Sequence, residues 1–257
     1  LCNRLLRSHH RAANLPQTFQ ILDSADQRSL IKRVMKSLSI DENRYSFRQV
    51  QYFINSNKEE GSRPDKVESV DEFSRTLIEI YREYDRACAH EGVVDFSELL
   101  LRSYELLTKN ERLIKHYQNR FKHILVDEFQ DTNKLQYAWL KLLANGGACV
   151  MAVGDDDQSI YAFRGAHSGN MINFEKDFSI EKVVKLEQNY RSHGNILDSA
   201  NALIKNNGQR LGKNLWTDQG EGEPIRVFRA MTDGEEASFI IEEIQSLRNS
   251  GIDLKNI

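Results

Sequence analysis

Asp127 and Glu128 close the apolar run Ile124-Leu125-Val126, and Asp155, Asp156 and Asp157 follow a second such run at 149–153. In open α/β sheets, ligands gather at the carboxyl ends of the strands. A carboxylate pair there can hold Mg²⁺ on a nucleotide phosphate and orient a water for attack. On this reading Asp127 and Glu128 are candidate metal ligands, Asp127 acting through water, and Glu128 also holds the hydrolytic water. Just beyond the second run come Gln158, Tyr161, Phe163 and Arg164. An amide placed there can sense a terminal phosphate. Exposed aromatics beside a groove can stack bases, worth about 1–3 kcal/mol per base, and Arg164 can bridge the two sites. A third cluster, Leu186-Glu187-Gln188-Asn189-Tyr190-Arg191-Ser192, follows another candidate strand. There Tyr190 can stack on a base and Arg191 can reach a phosphate, and an arginine so delivered speeds phosphoryl transfer about 10³–10⁵-fold.

Each cluster also has a plainer reading. Asp127-Glu128 can be a strand ending in acidic surface residues. The Asp triplet before Gln158 can be a turn and helix cap, with Tyr161 and Phe163 as core aromatics. The third cluster can be a strand-to-helix turn with Ser192 as the cap. The basic group Arg4, Arg7, His9, His10 and Arg11 reads as a solvated helix face rather than a phosphate contact.

The elements that must position these residues fall into two textures. Residues 1 to about 120 read as helical. Ser24-Ala25-Asp26-Gln27, Ser46-Phe47-Arg48-Gln49 and Asp95-Phe96-Ser97-Glu98 each place a capping side chain three residues before an acid or amide. Phe73, Leu77, Ile80, Tyr81, Tyr84 and Cys88 form one apolar stripe on a long helix, which Gly92 ends. Beyond residue 121, short apolar runs alternate with helical patterns. The spacing predicts strands at 123–127, 149–153, 182–186 and 225–229, and helices at 133–144, 168–177, 193–206 and 234–249. That alternation predicts a parallel sheet with helices on its faces.

The 257 residues carry a net charge of −3 and 40% hydrophobic residues, which suits one large globular domain or two ordinary ones. An overall acidic balance leaves a locally basic nucleic-acid groove open. Three dispersed cysteines suggest neither a disulfide framework nor a zinc site, and fit a reducing, cytoplasmic compartment. No apolar run is long enough for a membrane span. The chain opens on Leu1 and stops at Ile257, ends that read as cuts through a longer protein.

Together the three clusters, in this order and wording, resemble motifs II, III and IV of the superfamily-1 DNA helicases, in the UvrD/Rep group. The resemblance extends through flanks such as Leu5-Leu6-Arg7-Ser8-His9-His10, Val94-Asp95-Phe96-Ser97-Glu98-Leu99-Leu100-Leu101-Arg102 and Gly212-Lys213-Asn214-Leu215-Trp216-Thr217-Asp218. It implies an α/β fold of partial RecA-like parallel-sheet motor domains plus an all-helical inserted subdomain. Residues 1–120 would be the helical insertion of the first motor, 121–187 the C-terminal half of that motor, and 188–257 the start of the second. It implies ATP and Mg²⁺ as cofactors, and single-stranded DNA and duplex junctions as partners, with repair-protein partners left unspecified. By matching position, Asp127 takes the Mg²⁺ role and Glu128 the catalytic-base role. Gln158 contacts the γ-phosphate, Tyr190 stacks on adenine and Arg191 is the finger from the second motor. Tyr161 and Phe163 stack DNA bases, although the family usually has Trp where Phe163 stands. The implied activity is ATP-driven DNA unwinding, 3′-to-5′ by likeness, in repair or replication. No G-x-x-x-x-G-K-[ST] phosphate loop occurs in these residues. The alternative is therefore that this segment alone is a non-enzymatic DNA-binding or interaction module.

Overall fold

The computed structural model describes residues 1–160, 169–208, 210 and 212–257. They form two compact units, Leu1–Val183 and Val184–Ile257.

The first unit is mostly helical because its sequence supplies caps and stripes in register. Helices α1 (Cys2–Ser8), α2 (Ser24–Ser37), α3 (Phe47–Glu59), α4 (Glu72–Glu91), α5 (Phe96–Lys109) and α6 (Glu111–Arg120) come first. Ser46 accepts from the Gln49 N–H and Asp95 from the Glu98 N–H, as the spacing predicts. At α2 the cap is Asp23, one residue before the expected Ser24. Its carboxylate reaches two backbone donors at once, Ala25 at 2.7 Å and Asp26 at 2.8 Å. The α4 stripe is buried from Leu77 to Cys88 with Phe73 half-buried at its start, and the helix stops at Gly92, whose φ of +67° lies in the left-handed region. A Cβ at Gly92 would also lie 2.8 Å from Pro16 Cγ.

Two strands of two residues each interrupt the all-helical expectation for 1–120. Strand β1 (Gln20–Ile21) pairs in parallel with β2 (Val93–Val94), joining the two ends of the α2–α4 segment. Runs this short carry no readable period.

Two separate apolar cores result. One packs α2, α3 and α4 together, with Tyr45 stacked on Phe73 at 4.6 Å. The other packs α1, α5, α6 and α7 (Lys134–Ala144). A buried ionic network links elements of both. Lys58 on α3, 1% exposed, lies 2.8 Å from Asp95, 3.0 Å from Glu98 and 3.3 Å from Asp85. Arg63 pairs with Glu98, Glu105 and Asp85, and Arg102 with Glu98. Tyr84 Oη and Gln27 Nε2 donate to Asp95. Burial pushes the Glu98 carboxyl up, but Lys58, Arg63 and Arg102 override it and hold the group well below the usual carboxylate range.

The α/β part begins at β3 (His123–Val126), which pairs in parallel with β4 (Cys149–Ala152) in the register His123 to Cys149 through Val126 to Ala152. Helix α7 connects them, and Phe174 on α8 (Gly169–Asp177) and Phe178 just after it pack onto Phe129, Tyr137 and Leu140. One face of the strand pair, carrying Ile124, Val126, Val150 and Ala152, meets this third core. The other face leaves Leu125 76% exposed, with Met151 and Val153 beside it. These strands and α7 and α8 fall where the alternation predicted them.

The second unit holds α9 (Gly194–Ile204) and α10 (Asp233–Asn249), also close to prediction. The strands expected at 182–186 and 225–229 do not form among the described residues; one parallel bridge, Gln188 to Trp216, stands near the first. β propensity is realised only against a packing partner, and here Val184, Leu186 and Val227 stay exposed. Among the described residues the chain is mostly helical with two small parallel sheets, consistent with an α/β fold. Among the described residues, no helix is long and apolar enough to cross a membrane.

Candidate functional site

The parallel register of β3 and β4 brings two of the predicted clusters side by side. Past the ladder, Val153 N–H donates to Val126 O at 2.8 Å and Phe129 N–H donates to Val153 O at 3.0 Å. Asp127-Glu128 therefore leaves the sheet next to Gly154-Asp155. Asp127 and Glu128 are both exposed, and Asp127 Oδ1 accepts from the Glu128 N–H at 3.0 Å. Glu128 itself sits at φ +48°, ψ +44°. A non-glycine residue in that left-handed region stores about 1–3 kcal/mol of strain, which persists only where neighbours enforce it. Here the neighbour is Phe129, fully buried and packed on Phe174 at 4.8 Å.

The Asp triplet forms a single 3₁₀ turn, Asp156–Gln158, capped by Asp155. Asp155 Oδ1 accepts from the Asp157 N–H at 3.1 Å, and Gln158 Nε2 donates to Asp155 Oδ2 at 2.7 Å. The turn-and-cap reading is thus what the Asp triplet does locally. Gln158 remains exposed at its edge. Tyr161, Phe163 and Arg164 lie outside the described residues.

Gln130 is a site residue that sequence reasoning passed over. Its side chain, 3% exposed, donates from Nε2 to Glu128 Oε2 at 2.8 Å and accepts at Oε1 from the Asp155 N–H at 2.9 Å. Gly154 makes room for it: a Cβ there would lie 2.8 Å from Gln130 Oε1 and 3.2 Å from Phe129 N. The only signal in the sequence was an amide two residues from an acid.

The third cluster belongs to the second unit. Asn189 Oδ1 accepts from the N–H groups of Arg191 and Ser192, at 2.8 and 2.7 Å, which bends the chain and presents Arg191 to solvent. Ser192 is not the cap: the residue before α9 is His193, with no side-chain capping bond. Helix α9 starts at Gly194, so the cap position falls on His193 and Ser192 lies one residue too early. Tyr190 is 75% exposed, so it is no core aromatic. Its hydroxyl donates to Gln188 Oε1 and its carbonyl accepts from Gln219 Nε2, both at 2.8 Å, which leaves the ring faces open.

The donor set at β3 suits a hard divalent ion. Mg²⁺ binds through one or two carboxylates and keeps several waters, and two exposed carboxylates at a strand end fit that demand. An adenine could lie on the open ring of Tyr190, and a phosphate could meet the Arg191 guanidinium.

Comparison with known proteins agrees over nearly the whole chain. Residues 1–179 match the UvrD/REP helicase N-terminal domain, and residues 184–257 match the UvrD-like helicase C-terminal domain. The chain is 50% identical over 252 residues to DNA helicase II of Escherichia coli, covering 98% of this chain and 35% of that protein. It is 52% identical over 246 residues to DNA helicase II of Haemophilus influenzae, covering 95% of this chain and 34% of that protein. Against the ATP-dependent DNA helicase PcrA of Leuconostoc citreum it is 41% identical over 252 residues, 97% of this chain and 34% of that one. The chain spans about a third of the length of the curated relatives it matches.

Proposed function

This chain belongs to the UvrD/REP helicase family, and from that premise we propose that it is a segment of an ATP-dependent DNA helicase, moving 3′-to-5′ on single-stranded DNA in repair or replication. The observation that carries the reading is the meeting of Asp127-Glu128 with the Asp155–Gln158 turn at the ends of two paired parallel strands. Residues 1–120 would be an insertion in the first motor, 121–187 the C-terminal half of that motor's RecA-like domain, and 188–257 the start of the second.

Within that frame each side chain has one task. Asp127 and Glu128 hold the Mg²⁺, which when bound neutralises charge on the phosphates. Glu128 orients a water and takes its proton. Gln158 donates its amide to the terminal phosphate once it is released from Asp155. Tyr190 stacks on adenine, and Arg191 reaches the phosphate that is transferred. Tyr161 and Phe163 stack bases of the DNA strand and of the single strand at duplex junctions, with Arg164 beside the nucleotide.

The 257 residues alone support a second, narrower reading. They contain no phosphate loop, so we propose that the segment by itself binds DNA or a partner without turnover. ATP hydrolysis, measured with and without single-stranded DNA on this segment and on the full-length protein, tests both. The segment should match a blank, and the full-length protein should turn over. Glu128→Gln in the full-length protein should keep nucleotide binding and cut kcat by orders of magnitude. A near-normal kcat in that variant refutes the role of Glu128. DNA-stimulated turnover by the segment, abolished by Glu128→Gln, refutes the narrower reading.

A further inference from the structure

Gln130 has both ends of its amide committed, one to each strand end. Its Nε2 holds Glu128 Oε2 at 2.8 Å and its Oε1 holds the Asp155 N–H at 2.9 Å. From Asp155 the path continues to Gln158 Nε2 at 2.7 Å. We propose that Gln130 is a positioning residue for ATP hydrolysis, fixing the Glu128 carboxylate in the direction that orients the attacking water. The inference rests on the reading of Glu128 as that water's base.

The chemistry of the position demands this residue type. A carboxylate on one side requires a donor, and a backbone N–H on the other requires an acceptor; of the side chains of this length, only an amide supplies both. Glutamate at 130 would set two carboxylates at hydrogen-bond distance, where like charges repel. Methionine fills a similar volume but bonds to neither partner. The backbone of Glu128 is already fixed, because Phe129 is buried and donates its N–H to Val153 O. The freedom left to the carboxylate is its side-chain torsions, and the bond from Gln130 removes it. The amide end of that bond is shielded, since Gln130 is 3% exposed and water competes poorly for its Nε2, although the Glu128 carboxylate it holds is exposed. Gly154 keeps the space for the amide open from just past the end of β4, where any Cβ would press on Gln130 Oε1 at 2.8 Å. Two residues, one just past the end of each strand, therefore serve one carboxylate orientation.

The test uses the full-length protein with a saturating thymidine oligonucleotide. We would measure kcat, the dissociation constant of a non-hydrolysable ATP analogue, and the melting temperature. The variants are Gln130→Met, Gly154→Ala, Glu128→Gln and the double Glu128→Gln/Gln130→Met. Misplacing a catalytic group by about 1 Å lowers rate about 100-fold, so Gln130→Met should lose up to that factor in kcat while analogue affinity changes by less than about threefold. Gly154→Ala should move kcat in the same direction. The double variant should be no slower than Glu128→Gln alone, because a residue that acts only through Glu128 has nothing left to position. A kcat near wild type in Gln130→Met, with Glu128→Gln inactive, overturns the positioning role and leaves the role of Glu128 standing. An active Glu128→Gln overturns the reading beneath it instead. A double variant slower than Glu128→Gln by the full Gln130→Met factor shows an independent role and also overturns the proposal. If Gln130→Met melts far below the native protein, Gly154→Ala decides: unchanged kcat there refutes the inference.

Discussion

Replacing Lys58 by methionine should loosen the helical module far more than an ordinary surface substitution. Lys58 is 1% exposed and its ammonium lies within 3.3 Å of three carboxylates. Methionine keeps most of the stem volume, so cavity formation is small and the charge is what is removed. Glu98 keeps Arg63 and Arg102 as partners. Asp95 keeps only the neutral donors Tyr84 and Gln27 besides its capping bond to Glu98 N–H. Asp95, 2% exposed, thus becomes the uncompensated buried charge, and breaking such a pair costs about 3–5 kcal/mol. At about 1.36 kcal/mol per factor of ten, amide protection in α3, α4 and α5 should fall by roughly two to nearly four orders of magnitude. Hydrogen exchange on the full-length protein reads this directly, because it reports opening segment by segment. The double variant Lys58→Met/Asp95→Asn should recover much of the loss, since asparagine still accepts the Glu98 N–H without a charge. A loss in Lys58→Met below about 1 kcal/mol, or a double variant in which the two losses simply add, would refute this account of the network.

Three further outcomes follow from the same geometry. The folded pKa of Glu98 is depressed, so its contribution is present above its unfolded pKa of about 4.3 and is lost as pH falls below that value. Asp85, which burial pushes up, acts in the opposite sense, but three cations on Glu98 decide the sign. Protection of α5, corrected for intrinsic exchange, should therefore drop as pH falls from about 5 to 3, and a flat profile would refute it. In the full-length protein, Arg191→Ala should retain nucleotide binding and lose about 10³–10⁵ in kcat; single-turnover kinetics with a loss under tenfold would remove Arg191 from the phosphate. Phe163→Ala should weaken single-strand affinity by about 1–3 kcal/mol without lowering the melting temperature. The reverse pattern would make Phe163 a core residue.

The sequence was most legible where one face of an element repeats over many residues. The stripe from Phe73 to Cys88 gave the existence and buried face of α4, and Gly92 gave its C-terminal end. The alternation after residue 121 gave β3, β4, α7 and α8. It failed where structure depends on a partner far along the chain. Gln20–Ile21 and Val93–Val94 are too short to show a period and pair only because the α2–α4 segment closes on itself. Residues 182–186 and 225–229 have strand composition but no ladder among the described residues. Capping was misplaced by one residue twice: Asp23 beat Ser24 by binding two donors, and the cap position of α9 fell on His193 rather than Ser192. In the site, the charged and aromatic residues stood out by type. Gln130 did not, since its importance lies in bonding two strand ends at once, which only the register reveals.

The uncovered face of β3 and β4 has a practical consequence for handling this segment as a free polypeptide. Leu125, Met151 and Val153 line one side of a two-stranded sheet, and among the described residues each strand has an outer edge with no neighbour. Apolar strands with open edges can template the addition of further strands from other molecules. A preparation of the isolated chain should therefore scatter light increasingly with concentration. Charged substitution at Leu125, on the face away from the core, should raise its solubility limit while leaving the packing of Phe129 and Phe174 intact.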